Sequence, residues 1–140
     1  MDRKASAHWE GGLKDGKGTV STESGVLDAS YSFKKRFEDE KGTNPEELIG
    51  AAHASCFSMA LSMILGEKGY TADTIDTKAS VTLSQGSSGF DISKIHLDVA
   101  ATVSGADEAA FKEAAETAKA NCPVSKVLNA DITMTAKLNG

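Results

Sequence analysis

Cys56 and Cys122 are the only cysteines in a chain of 140 residues. A thiolate can serve as nucleophile, reductant or metal ligand, and its ionisation and neighbours decide which. The two sequence settings differ. Cys122 directly precedes Pro123, and Cys122-Pro-Val-Ser-Lys-Val-Leu128 reads as a short helical turn with cysteine at the N-cap, where unpaired backbone N–H groups favour a thiolate. Cys56 falls in the middle of an apolar helical stretch, where burial works against the charged form, so a nucleophilic Cys56 needs a cation from elsewhere. As a small hydrophobe it reads equally well as a core residue. His53, three positions earlier, shares its helical face and opens a Cys–His nucleophile reading, beside the plainer one of a histidine hydrogen-bonded near a buried helix. The histidines His8, His53 and His96 lack ligand spacing with the cysteines, so no metal site is expected.

The elements that must hold these residues follow from periodicity. Ala5, Ala7 and Trp9 alternate with polar residues, the run 11–18 is glycine-rich, and residues 19–24 resume a strand pattern before a turn at Gly25. Leu27, Ala29, Tyr31 and Phe33 alternate next, which predicts a half-buried strand leading into a charged surface loop over residues 34–43. Asn44, Pro45 and Glu47 form a helix start, and Gly69 a stop after about Lys68. Residues 49–65 are apolar or small on nearly every face, so the helix needs cover all round, which a second subunit would supply. Ala79, Val81 and Leu83 form one alternating set and Ile95 to Val103 another, with Phe90 and Ile92 out of phase, which predicts a bulge near Ser93-Lys94. Ala106 to Ala120 reads as a helix burying Phe111, Ala114, Ala115 and Ala118, and Leu128 to Leu138 as a final strand. The sum is a single α+β domain over residues 1–140, without regular βαβ alternation.

Composition excludes several function classes. Hydrophobic residues make up 40% and charged ones 25%, ordinary globular usage that excludes a disordered tail. Twenty acidic against fifteen basic residues leave a net charge of −5, which disfavours nucleic acid and anionic membranes as partners. The stretch from Leu48 to Leu65 is interrupted by Gly50, His53 and serines and is a weak bilayer span, and Met-Asp-Arg-Lys at the start lacks a secretory apolar region. A cytoplasmic location is expected, where lone thiols stay reduced. Arg3 and Arg36 are the only arginines.

The run 42–61, Gly-Thr-Asn-Pro-Glu-Glu-Leu-Ile-Gly-Ala-Ala-His-Ala-Ser-Cys-Phe-Ser-Met-Ala-Leu, resembles the signature helix of the OsmC/Ohr family, the osmotically inducible protein C and organic hydroperoxide resistance proteins. Asn121-Cys-Pro-Val-Ser-Lys-Val-Leu128 resembles the family's second-cysteine segment, and Ala7-His-Trp-Glu-Gly-Gly12 with Gly18-Thr-Val-Ser-Thr-Glu-Ser-Gly-Val-Leu27 is similar to the OsmC branch. The resemblance implies antiparallel sheets around long buried central helices in an intertwined homodimer. It also implies a cofactor-free thiol peroxidase reducing organic hydroperoxides, and hydrogen peroxide less efficiently, in stress and detoxification. Cys56 would be peroxidatic and Cys122 resolving, with Arg36 holding the thiolate and peroxide and Glu46 orienting Arg36. The position of lysines over 11–17, where the Ohr branch would offer arginine, favours Arg36. The implied reductant is a dithiol such as a lipoyl protein. A non-catalytic stress-induced binding protein, taking a lipid-like ligand in the same apolar cleft, is the alternative.

Glu46 and Cys56 lie ten positions apart, about 15 Å on an unbroken helix. One chain therefore joins them only if the helix breaks, as at Gly50. The expectation is a site drawing Cys56 and Cys122 from one subunit and Arg36 and Glu46 from the other. Phe33, Phe37, Phe57, Met59 and Met63 are available to line its apolar approach.

Overall fold

Alternation in the first thirty residues produces a meander: β1 (Ala5–Glu10), β2 (Lys17–Thr22) and β3 (Asp28–Tyr31) pair antiparallel in that order. The computed structural model describes residues 1–139. Chain contacts group into two compact units, Met1–Leu48 and the segment from Ile49 onward. In the first, Gly18 pairs with Trp9 on one side and Tyr31 on the other. A Cβ there would stand 2.7 Å from each ring, so only glycine lets the two aromatics approach with centroids 5.5 Å apart.

The strand ends sooner than the alternation predicts. Ser32 caps a short helix, α1 (Phe33–Phe37), its side chain accepting from the Lys35 N–H. Residues 33–37 are thus helical rather than strand end and loop, because a capping serine outweighs one further alternating aromatic. Next comes α2 (Pro45–Glu67), which continues unbroken through Gly50. Asn44 Oδ1 accepts the Glu47 N–H at 2.7 Å, and Gly69 ends the segment at φ +90°.

In the second unit β4 (Ala72–Gly86) and β5 (Gly89–Val103) form a long hairpin. Its register jumps from Thr82↔Lys94 to Leu83↔Ile92, leaving Ser93 as the extra residue at the expected bulge. After β5 come α3 (Glu108–Asn121) and α4 (Pro123–Val127), and then β6 (Asp131–Asn139), which runs parallel to β5. The sheet has the order β4-β5-β6 and is mixed, which corrects the expectation of purely antiparallel sheets. A helical crossover between neighbouring strands returns the chain to the same end and makes the pairing parallel.

The core sits on this sheet. Ile95, Leu97, Val99 and Ala101 of central β5 are essentially inaccessible, as are Phe57, Leu61 and Leu65 of α2. The buried stripe of α3 is Phe111, Ala114, Ala115 and Ala118, at the 3- and 4-residue spacing of one helical face, and Cys122 extends it by one more turn. Phe111→Ala should destabilise the protein by about 3–5 kcal/mol in urea unfolding, because it empties the centre of a closed core. A loss below about 1 kcal/mol would show that α3 is not held by this stripe.

Candidate active site

The residues with chemical potential form two groups, one in each unit. In the first unit the cap at Ser32 starts α1, which carries Arg36 on its last turn. The Arg36 Nη2 donates to Glu46 Oε1 at 2.6 Å, and Nε donates to Oε1 and Oε2 at 3.1 and 3.2 Å. Such two-point contact fixes the guanidinium plane as well as its charge. Glu46 is buried, whereas the arginine remains partly open to solvent. Of the two carboxylates in the first turn of α2, Glu47 is occupied by the Thr43 hydroxyl at 2.9 Å, which leaves Glu46 for the arginine. Arg36 also lies over the Phe37 ring, Cζ 5.5 Å from its centroid. Trp9, Leu13, Tyr31, Phe33, Arg36 and Phe37 line a cavity of about 200 Å³.

In the second unit α2 buries His53, Phe57, Leu61 and Leu65 at intervals of four, one stripe along the helix. Cys56, Ala60 and Ile64 border that stripe and are half-buried, while Ser55, Met59, Ser62 and Met63 are exposed. Cys56 therefore stands where the core meets the open face of α2. Cys122 is buried at the start of α4, and its side chain lies near enough to Cys56 to raise that thiol's pKa. Both thiols are free. The structure thus brings together two thiols separated by 65 intervening residues, because the α3–α4 junction points the N-terminal turn of α4 at α2.

Burial pushes the Cys56 thiol above its ordinary pKa, the Val124 backbone N–H pulls it back, and the neighbouring Cys122 raises it further. Cys56 is consequently a weak nucleophile by its own surroundings, as its mid-helix position implies. At Cys122 the N-cap reading holds: the Ser125 N–H donates to Sγ at 3.4 Å.

His53 does not serve Cys56. Its Nε2 lies 2.7 Å from Ser125 Oγ, which in turn lies 3.1 Å from Cys122 Sγ, so the Cys–His pairing read from the helical face gives way to a link through Ser125. Two residues three positions apart on one helix share a face without their side chains meeting, and a hydroxyl on the facing turn is the better partner. Burial holds His53 below its ordinary pKa. Phe57, expected beside the substrate approach, is fully buried in the core. No group of three or more metal-ligating side chains occurs among the described residues. Ser125 and the Val124 N–H had no individual signal in the sequence; the only pointer was the Cys-Pro helix start that contains them.

Comparison with known proteins bears on these groups. The model of a family described as OsmC-like protein matches residues 38–137. A curated relative, Peroxiredoxin OsmC of Escherichia coli strain K12, is 58% identical over 99% of the chain and 97% of its own length. Organic hydroperoxide resistance protein OhrB of Bacillus subtilis is 28% identical over 86% of the chain and 88% of its own length. The crystal structure of that OhrB superposes with a TM-score of 0.72, covering 96% of this chain and 98% of the other. An OsmC-like protein of Mycoplasma pneumoniae, 16% identical, shares the fold at a TM-score of 0.79 over 100% of this chain and 99% of the other.

The contact between the thiols sets a pH test. Cys122 favours the neutral form of Cys56, so Cys122→Ala should move the midpoint of Cys56 alkylation by iodoacetamide to lower pH. An unchanged or higher midpoint would show that the two sulfurs do not interact.

Proposed function

The chain belongs to the OsmC family, and from that premise we propose that it is a two-thiol peroxidase that reduces organic hydroperoxides to alcohols in a reducing cytoplasm. The observation that carries this reading is the meeting of Cys56 with Cys122, the only two thiols of the chain. The names of the relatives, a peroxiredoxin and an organic hydroperoxide resistance protein, support the same chemistry.

The Cys56 thiolate attacks one peroxide oxygen; the O–O bond breaks, the alkoxide leaves and takes a proton to become the alcohol, and Cys56 becomes a sulfenic acid. Cys122 then displaces hydroxide from that sulfur to form the disulfide, and the hydroxide ends as water. Sulfur supplies both electrons, so the step requires neither metal nor flavin. An external dithiol, for which a lipoyl group is suited, returns the two electrons.

Cys56 needs a cation to offset its burial, and Arg36 is suited to supply it. Glu46 occupies Nε and Nη2, while Nη1 makes no hydrogen bond among the described residues and is free for a peroxide oxygen. The aromatic cavity beside Arg36 suits an alkyl group. Phe33 and Phe37 belong to that cavity, and Met59 and Met63 are exposed on α2.

We assign the two halves of the site to different subunits of a homodimer. Helix α2 runs on through Gly50 without a break, which supports drawing Glu46 and Cys56 of one site from different chains. Its Met59 is 76% exposed and Met63 61%, which leaves an apolar face for a partner to cover. Strand β1 is likewise exposed along its length.

Mixing subunits tests this assignment. Cys56→Ser and Arg36→Ala homodimers should each lose at least about a hundredfold in turnover of cumene hydroperoxide, since one lacks the nucleophile and the other its cation. Subunit exchange between them should restore activity, because the heterodimer contains one complete site and one doubly defective site. No recovery despite demonstrated exchange would place all four residues in one chain.

A further inference from the structure

The steps of peroxide attack described above leave unused a buried link from His53 through Ser125 to Cys122. We propose that Ser125 is a further catalytic residue, acting on the second half of the reaction: held by His53, it presents the Cys122 sulfur for attack on the Cys56 sulfenic acid. The inference rests on the two-thiol reading above.

Burial favours one direction for the hydrogen bonds. His53 is fully buried, and its Nδ1 has no partner among the described residues. A proton on Nδ1 would be a buried donor with nothing to receive it, so the less costly tautomer carries the proton on Nε2 and donates it to Ser125 Oγ over 2.7 Å. The Ser125 hydroxyl then has its own hydrogen available for Cys122 Sγ at 3.1 Å. The same residue's backbone N–H points at that sulfur from 3.4 Å. One residue therefore places two donors on the resolving sulfur, and negative charge on it during attack is met without rearrangement. Burial keeps His53 neutral, so it sustains this arrangement without adding a charge to the core.

The Cys122 thiolate forms the S–S bond, the S–O bond of the Cys56 sulfenic acid breaks, and hydroxide leaves with the electron pair and is protonated to water. Ser125 touches the reacting sulfur; His53 acts only through Ser125 and is a positioning residue.

Single-turnover kinetics separate the two halves. The protein is mixed with cumene hydroperoxide; sulfenic acid is trapped with dimedone, and disulfide is quantified by mass spectrometry after quenching. Ser125→Ala should oxidise Cys56 within about twofold of the native rate, form the disulfide roughly tenfold more slowly and accumulate trapped sulfenic acid. Native disulfide kinetics in Ser125→Ala, or equal slowing of both steps, would overturn the inference. A second pair guards against misfolding of that variant: His53→Gln keeps an amide donor near the position of Nε2 and should resolve within about threefold, whereas His53→Leu should reproduce the tenfold loss. Equal resolution in Gln and Leu variants would also overturn it. If the native protein itself forms neither sulfenic acid nor disulfide, the two-thiol reading fails and this inference with it, a result distinct from native resolution in a Ser125 variant.

Discussion

A helix without a polar face must be covered on every side, and α2 is such a helix. Its stripe at His53, Phe57, Leu61 and Leu65 is closed by its own chain, its stripe at Ser55, Met59 and Met63 is open, and Cys56 lies on the border. That border position gives the thiol its dual character. It is accessible enough to meet a small molecule and buried enough that its ionisation is disfavoured, so its reactivity depends on groups brought to it. The same open face is the one that the proposed second subunit, with its guanidinium, would cover.

The second sulfur reaches this border through topology. The parallel pairing of β5 with β6 requires a crossover, and that crossover is α3 and α4. The apolar stripe of α3 seats its end in the core and continues into Cys122, after which Pro123 starts a new helical turn. Orphan N–H groups of that turn serve both sulfurs, Val124 at Cys56 and Ser125 at Cys122. Packing and chemistry are therefore set by one junction, and a change in α3 register would move Cys122 out of place.

Much of this was legible in local pattern. Asn44, Pro45 and Gly69 marked α2 because caps act within a few residues, and Phe90 and Ile92 betrayed the bulge because a period of two cannot absorb an extra residue silently. The Cys122 cap was readable for the same reason. Less legible were the start of α1, where Ser32 fits both a strand and a cap, and the parallel pairing, which depends on where β6 docks. The partnership of Arg36 with Glu46 came from family resemblance, and the geometry selects Glu46 over Glu47 through Thr43. The His53–Ser125 contact spans 72 positions, and no periodicity reports such a distance.

Reaction of the two sulfurs with each other inside one chain is the central step of the proposed mechanism. Peptide mass spectrometry after one equivalent of an organic hydroperoxide measures this directly. The expected product is a disulfide joining the Cys56 and Cys122 peptides of the same chain, formed in step with release of the alcohol. Recovery of Cys56 as a sulfinic acid with Cys122 still reduced, or of disulfides joining only different chains, would contradict it.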